Sequence, residues 1–245
     1  MIKVWKVARK LAVLFVVTLF VNCSNGSTTN DDFSTKYTVD NGTVMSMKVH
    51  IVPTVSDKRI TDVIAEIQNC VITNNYYIRF NDEIIASWGM GSNAVTAKTD
   101  AFNCIKAALD IRNALLKMNA KYPDIYIVSG INTGSIYIGM PDLITARCDT
   151  VNFAREIVDI NTDLGTDILI PEDVWALVGD MFITEEMPPV KVKGKEKPIR
   201  IFAIINSINS DGPKTLADLK NLMDTPDFNK ADMDAEETKY EIYNS

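Results

Sequence analysis

Hydrophobic positions follow two different periods in the first half of the chain, and each period predicts one kind of element. Residues 44–52 are rich in β-branched side chains and predict a strand that ends at Pro53, because proline has no N–H to donate. Residues 60–71 carry apolar side chains at every third or fourth position, which predicts an amphipathic helix. Residues 76–88 predict a hairpin, since two apolar runs flank a polar turn.

The second half of the chain continues this mixture of periods. We predict a helix over residues 100–118, with Thr99 as its N-cap. Two short strands are predicted over residues 125–128 and 135–138, around a polar turn. The remaining predicted elements are a helix, a strand, a helix and a closing hairpin, at residues 150–160, 167–170, 172–178 and around 193–195. Because strands and helices intermix with antiparallel hairpins, the pattern predicts an α+β fold.

Composition narrows the classes of function. The chain has 245 residues, of which 47% are hydrophobic, and this suffices for one packed domain with end segments. Its formal net charge of −7 argues against a nucleic-acid partner, because binding to the phosphate backbone needs clustered Lys and Arg. The single histidine, His50, excludes a multi-histidine metal site, and we expect it to be structural. The four cysteines show no paired spacing and predict no disulfide framework.

The N-terminal residues 1–23 have the organisation of a targeting segment. Four basic residues precede an uncharged run at residues 11–21, which is too short to cross a bilayer as a helix. The following Val21-Asn22-Cys23-Ser24 resembles a bacterial lipoprotein processing site, with Cys23 as the lipid acceptor. Phe20 and Asn22 depart from the strict pattern, so a plain signal or anchor and a buried helix stay open.

The charges around this segment also predict where the rest of the chain resides. Positive charge ahead of the apolar run keeps the N-terminus in the cytoplasm and sends the remainder outward. We therefore expect a membrane-anchored, lipoprotein-like and extracytoplasmic protein. Residues 24–42 are dominated by small polar side chains and predict a flexible tether. Residues 207–245 are rich in acids and predict a solvated acidic tail, which leaves residues 43–206 as the main domain.

Four sequence blocks stand out within residues 43–206. They read IRFNDEIIASWG (78–89), VSGINTG with CDTVNFAR (128–134 and 148–155), ILIPEDVW (168–175) and VKVKGKEKPIRIF (190–202). In this order, the four blocks resemble the class III adenylate/guanylate cyclase family. The resemblance implies a class III nucleotide cyclase-like fold, with a ferredoxin-like βαββαβ core and extra C-terminal strands. It also implies a site for a nucleoside triphosphate.

The family's reaction is an in-line attack of the ribose 3′-oxygen on the α-phosphorus, which releases pyrophosphate. Two carboxylates hold Mg²⁺ or Mn²⁺ in such a site, because hard cations prefer oxygen ligands. The resemblance implies that Asp82, at the hairpin tip, is one metal ligand. The second acid is expected at the end of the first strand, where Ile51-Val52-Pro53-Thr54 offers none. Asp57 substitutes for it only if the following loop folds back.

Two further positions of the family lie on the helix that begins near residue 150. Asn152 matches the asparagine that reaches toward the transition state. Glu156 occupies the place expected for the arginine, and Arg155 comes one residue earlier. One residue corresponds to a rotation of about 100° around an ideal helix. A carboxylate that faces a polyphosphate is unfavourable, so this departure from the family's pattern predicts weakened catalysis.

The resemblance assigns substrate contacts to three more residues. Lys193 matches the lysine that pairs with the triphosphate, although other lysines of the same hairpin are also consistent with a solvated surface. Ile78 and Thr145 fall at the positions that select the base. Because the Ile78 side chain offers no hydrogen bond, the sequence does not predict which purine is bound.

The missing strand acid, the displaced arginine and an N-terminal segment that exports the domain together predict a degenerate domain. We expect it to act as a nucleotide-binding or dimerisation module in signalling. The alternative is an active cyclase that forms a 3′,5′-cyclic nucleotide, so it stays open whether the protein is an enzyme. The family places its sites between two domains, which implies a homodimer. A diguanylate cyclase is a further alternative with an acidic hairpin, but that class lacks the Val-Lys-Gly-Lys hairpin found here.

Overall fold

The computed structural model describes residues 37–51, 55–71, 76–80, 83–89, 96–118, 125–138, 148–192, 196–223 and 240–243. The expected targeting segment and most of the expected tether lie outside these residues. The elements are β1 (Tyr37–Ile51), α1 (Asp57–Val71), β2 (Tyr76–Phe80), β3 (Glu83–Trp88), α2 (Ala97–Met118), β4 (Ile125–Ile138), α3 (Asp149–Leu164), β5 (Ile168–Pro171), α4 (Glu172–Val178), a 3₁₀ turn (Gly179–Met181), β6 (Phe182–Val192), β7 (Ile199–Ser207), α5 (Leu216–Met223) and β8 (Tyr240–Ile242).

The strands form an eight-stranded sheet in the order β2-β3-β1-β4-β5-β7-β6-β8. β4 and β5 pair in parallel, and the other neighbours are antiparallel. The first elements follow the order βαββαβ, and further strands follow toward the C-terminus. The predicted α+β fold, with its βαββαβ core and extra C-terminal strands, is therefore confirmed.

Helices cover both faces of this sheet. α1, α2 and α4 pack on one face, where their apolar side chains join Met45 and Met47 of β1 in the largest core cluster. α3 and α5 pack on the other face, over two smaller clusters. Val44 belongs to the α3 side, so the alternation along β1 distributes successive side chains between the two layers. No helix of the described ranges is long and apolar enough to cross a membrane.

The prediction of two short strands around residues 132–134 is wrong, because β4 is one continuous strand. Its residues Asn132, Thr133 and Gly134 pair with Val44, Thr43 and Gly42 of β1. The turn-like composition is overridden by a long partner strand that supplies backbone hydrogen bonds along the whole segment. A register shift between Val39 and Gly42 absorbs the irregularity on the β1 side.

Three boundaries also differ from the expected ones. β1 begins at Tyr37, inside the segment expected to be a tether, because its first residues pair with the end of β4. The N-cap of α2 is Thr96 rather than Thr99, since the Thr96 hydroxyl oxygen accepts a hydrogen bond from the Thr99 N–H at 3.2 Å. The expected acidic tail contributes α5, whose Leu216 and Leu219 are buried, and β8, which pairs with β6.

Candidate functional site

Strands β1 and β3 place three polar side chains on the sheet face that α3 covers. Lys48 lies opposite Glu83 in the antiparallel pairing, and Ser46 lies opposite Ile85. Opposite residues of an antiparallel pair point to the same face, as do residues two apart in one strand. Ile85 packs in the cluster beneath α3, so Ser46, Lys48 and Glu83 all face this helix.

The glycines of β4 allow α3 to lie unusually close to this face. A Cβ atom added to Gly130 would lie 2.2 Å from the backbone oxygen of Ala154, so only glycine fits beneath the helix. A Cβ atom on Gly134 would lie 2.7 Å from the Thr150 hydroxyl oxygen. Between the two glycines, the buried Asn132 donates from Nδ2 to the Thr150 carbonyl at 3.1 Å. The Gly-Ile-Asn-Thr-Gly block is therefore a docking surface for the first turns of α3.

Arg155 of α3 reaches across to Glu83 and forms a bidentate ion pair within the chain. Its Nε donates to Glu83 Oε1 at 2.5 Å and its Nη2 donates to Oε2 at 3.1 Å. Ser46 Oγ donates to the same Oε1 at 3.3 Å. The side chains of Arg155 and Glu83 are only 31% and 27% exposed. Both Glu83 oxygens thus have partners, and α3 is tied to the residue that follows the hairpin tip.

Lys48 brings a second positive charge to the same face. It is partly buried, and it makes no ion pair with any residue that the structure describes. The Glu83 carboxylate opposite it is occupied by Arg155. Lys48 is therefore the cation at this site whose charge is not matched by a described carboxylate.

Asn152 and Glu156 lie on the first turns of α3, on either side of Arg155 in sequence. Asn152 is partly buried, and within the described ranges its side-chain amide makes no hydrogen bond. Glu156, at the position expected for the family's arginine, is also partly buried. Asn152 and Arg155 are three residues apart, so their side chains project from neighbouring positions of one helix face.

Comparison with known proteins identifies the architecture that carries this site. No family model matches the chain. The catalytic core of a rhodopsin-guanylyl cyclase in complex with ATPαS superposes with a TM-score of 0.57 at 18% identity, over 71% of this chain and 99% of that one. The adenylyl cyclase CyaB from P. aeruginosa superposes with a TM-score of 0.56 at 18% identity, over 71% and 98%. The described domain has the class III nucleotide cyclase fold.

A curated sequence agrees with this cyclase fold. Adenylate cyclase 1 of Rhizobium meliloti (strain 1021) is 27% identical over 140 residues, which cover 53% of this chain. The match covers 20% of that protein, so it concerns about a fifth of the relative's length. At this low identity the match supports the resemblance to the cyclase family that the sequence blocks indicate.

Several residues marked by the cyclase resemblance are not among those that the structure describes. Asp82, Thr145 and Lys193 lie outside the described ranges. Ile78 lies in β2 with its Cα opposite Ile85, and only its backbone is described. Asn152 and Arg155 are described, and the structure brings Arg155 to Glu83. The roles of these residues in substrate or metal binding stay predictions.

The described side chains of the candidate site do not fit a two-carboxylate metal centre. β1 contains one acid, Asp40, eight residues before Lys48, and β3 contains only Glu83, which Arg155 already occupies. Asp57, considered as a substitute ligand, is exposed at the first turn of α1. Nowhere in the described ranges do three or more His, Cys, Asp or Glu side chains form a group that could hold a metal ion. The expected metal ligand Asp82 remains a prediction.

Sequence reasoning did not single out Glu83 and Lys48. The signal was present in part, because Met45 and Met47 alternate with Ser46 and Lys48, which places the polar pair on one face. The register that sets Lys48 against Glu83, and the approach of Arg155, depend on tertiary structure.

Among the residues that the structure describes, the remaining reactive side chains do not form an alternative site. A groove of about 660 Å³ between α1 and α2 is lined by Asp62, Glu66, Cys70 and Asp110, among others, on the opposite face of the sheet. Burial, followed by the nearby carboxylates of Glu66 and Asp110, raises the pKa of the Cys70 thiol and so disfavours a nucleophilic thiolate. The His50 ring lies 6.0 Å from the Tyr126 ring, measured between ring centroids.

Proposed function

We propose that this cyclase-like domain is catalytically degenerate and serves as a nucleotide-binding or dimerisation module in signalling. The observation that carries the proposal is the bidentate ion pair between Arg155 and Glu83. An arginine that stabilises a transferring phosphoryl group has to present its guanidinium to the substrate. Here the guanidinium is committed to a carboxylate of its own chain.

Releasing Arg155 from Glu83 would be doubly unfavourable for catalysis. It would break two charge-assisted hydrogen bonds, and it would leave the Glu83 carboxylate facing a polyphosphate. The lack of an acid near the end of β1 also disfavours catalysis, because it removes an expected ligand of the metal ion.

An active nucleotide cyclase is the second candidate. The side-chain amide of Asn152 has no hydrogen-bond partner among the described residues, so it is available to a substrate. The 27% identity to an adenylate cyclase also favours this candidate. Activity would require Arg155 to leave Glu83 when the nucleotide or a second copy of the chain binds.

Binding and turnover measured on one preparation separate the two candidates. The 245-residue chain is titrated with ATP, GTP, CTP and UTP, and the same samples are assayed for cyclic nucleotide with Mg²⁺ or Mn²⁺. The proposal expects saturable binding without product, and dimers by sedimentation. Cyclic product would support the active candidate, whereas a monomer that binds none of the four nucleotides would contradict both parts of the proposed module.

We also propose that residues 1–23 anchor the domain at the outer side of a membrane. The basic residues ahead of an apolar run, followed by Cys23, support this location. Membrane fractionation with lipid labelling tests the anchor, and Cys23→Ala is the matched control. Label that persists in Cys23→Ala would contradict lipidation at this cysteine.

A further inference from the structure

We propose that the Lys48 ammonium takes the place of a divalent cation at the nucleotide site, so that phosphate binding requires no Mg²⁺ or Mn²⁺. This inference rests on the proposed nucleotide binding and specifies its chemistry. The ligand class is the polyphosphate of a nucleoside triphosphate. The supporting observations are the register of β1 against β3 and the partners of Glu83.

The strand register brings Lys48 to the residue that follows the expected metal ligand. Lys48 lies directly opposite Glu83, and Glu83 follows Asp82 in the sequence. Cβ atoms of opposite residues in an antiparallel pair are about 4.5–5.5 Å apart, so the Lys48 side chain starts beside that of Glu83. Its four-carbon stem allows the ammonium to reach beyond the carboxylate.

The positive charge of Lys48 is not paired with a described carboxylate. Glu83 binds Arg155 through both oxygens and accepts a hydrogen bond from Ser46. Lys48 makes no ion pair with a described residue, although it lies opposite that carboxylate. Among Ser46, Lys48, Glu83 and Arg155, two side chains are positive and one is negative. These four side chains therefore carry a net positive charge, which favours binding of an anion over binding of a metal ion.

The same charge opposes a divalent metal ion. A fixed ammonium repels a cation placed on the same strand face, and the repulsion grows where water is partly excluded. A lysine ammonium is a compact charge that binds phosphate oxygens directly. Nucleotide binding would therefore be independent of a metal ion.

Metal dependence of nucleotide affinity tests the inference. The 245-residue chain is titrated with fluorescent ATP and GTP analogues in EDTA and in millimolar Mg²⁺. The dissociation constants are expected to agree within about twofold in the two buffers. Lys48→Gln should weaken binding about tenfold, which corresponds to the loss of about 1.4 kcal/mol of interaction. Lys48→Arg should retain most of the affinity, because it keeps the positive charge.

Two further variants make the test specific to this position. Lys58→Gln removes an exposed lysine from α1 on the opposite sheet face, and it should leave both dissociation constants unchanged. Lys48→Asp places a carboxylate at the strand position and should make binding depend on Mg²⁺, which a merely structural role would not do. Circular dichroism melting confirms that each variant is folded.

The outcomes separate this inference from the proposed function. Wild-type binding that is lost in EDTA, or Lys48→Gln binding equal to that of the wild type, overturns the role of Lys48 and leaves nucleotide binding intact. Absence of binding in both buffers overturns the nucleotide-binding proposal itself, and this inference with it. Metal-independent binding that weakens in Lys48→Gln and not in Lys58→Gln supports the inference.

Discussion

Arg155 and Glu83 lie 72 residues apart in sequence and are joined by two hydrogen bonds between guanidinium and carboxylate. This contact fixes α3 against the strand that follows the hairpin tip. It also pairs the guanidinium of the arginine nearest to the family's expected position with a carboxylate of the same chain. The proposed loss of catalysis follows from this one relationship together with the missing strand acid.

The energetic coupling of Arg155 and Glu83 is the first testable quantity. A double-mutant cycle with Arg155→Met and Glu83→Gln should give a coupling free energy of about 0.5–1 kcal/mol, because the pair is bidentate but partly solvated. Urea unfolding measures it. The more exposed pair Lys106–Asp110 is the control and should give a smaller coupling. Equal couplings for the two pairs would contradict a distinct role for Arg155.

A buried ion pair between Arg112 and Asp167 should contribute strongly to stability. The side chains are 6% and 5% exposed, and Arg112 also donates to the carbonyls of Ile204 and Ile205. Arg112→Met leaves Asp167 buried without its partner and should lower the free energy of unfolding by about 3–5 kcal/mol. The double variant Arg112→Met/Asp167→Leu should recover much of this loss. A single variant as stable as the wild type would contradict the buried geometry.

The close approach of α3 to β4 predicts different tolerances at the two glycines. Gly130→Ala should destabilise the domain by more than about 2 kcal/mol, since the new methyl group meets the backbone of Ala154. Gly134→Ala should cost less, because its methyl group meets the Thr150 side chain, which is able to rotate. Thermal unfolding compares the two variants. A larger loss for Gly134→Ala would show that the helix is placed differently.

Alkaline pH should destabilise the link between β8 and α3. Tyr240 donates its hydroxyl hydrogen to Asp163 at 2.5 Å, and burial, followed by this bond, raises the pKa of Tyr240 above the usual value of about 10. Because the folded-state pKa is the higher one, the contribution is complete below about pH 10 and is lost as the pH rises further.

The free energy of unfolding measured between about pH 9 and pH 11 tests this link. The wild type should lose stability more steeply than Tyr240→Phe, which has no proton to release at this position. Tyr126, whose pKa burial also raises, is present in both proteins and does not affect the difference. Parallel curves for the two proteins would contradict the proposed role of the Tyr240 hydroxyl.

The sequence predicted the elements whose periodicity is local. α1 and the β2–β3 hairpin were found because their apolar spacing is carried by neighbouring residues. β4 was divided in two because Asn132 and Gly134 are typical of turns, and only the β1 partner overrides them. β8 has three residues and forms through pairing with β6, so it has no local pattern to recognise.

The sequence placed two of the expected site residues on one element but did not predict their contacts. Motif order located Asn152 and Arg155 on one helix, which the structure confirms as α3. The partner of Arg155 depends on how closely α3 approaches β4, and that distance is set by the absent side chain of Gly130. The position of Lys48 opposite Glu83 depends on the register between β1 and β3, which the sequence alone does not show.

Formation of cyclic nucleotide by the 245-residue chain tests the central claim most directly. Wild type and Asp82→Ala are incubated with each of the four nucleoside triphosphates and Mn²⁺, and the products are quantified by mass spectrometry. We predict equal amounts at background level, because Arg155 is held by Glu83 and the strand acid is missing. Product that forms in the wild type and disappears in Asp82→Ala would contradict the degenerate assignment.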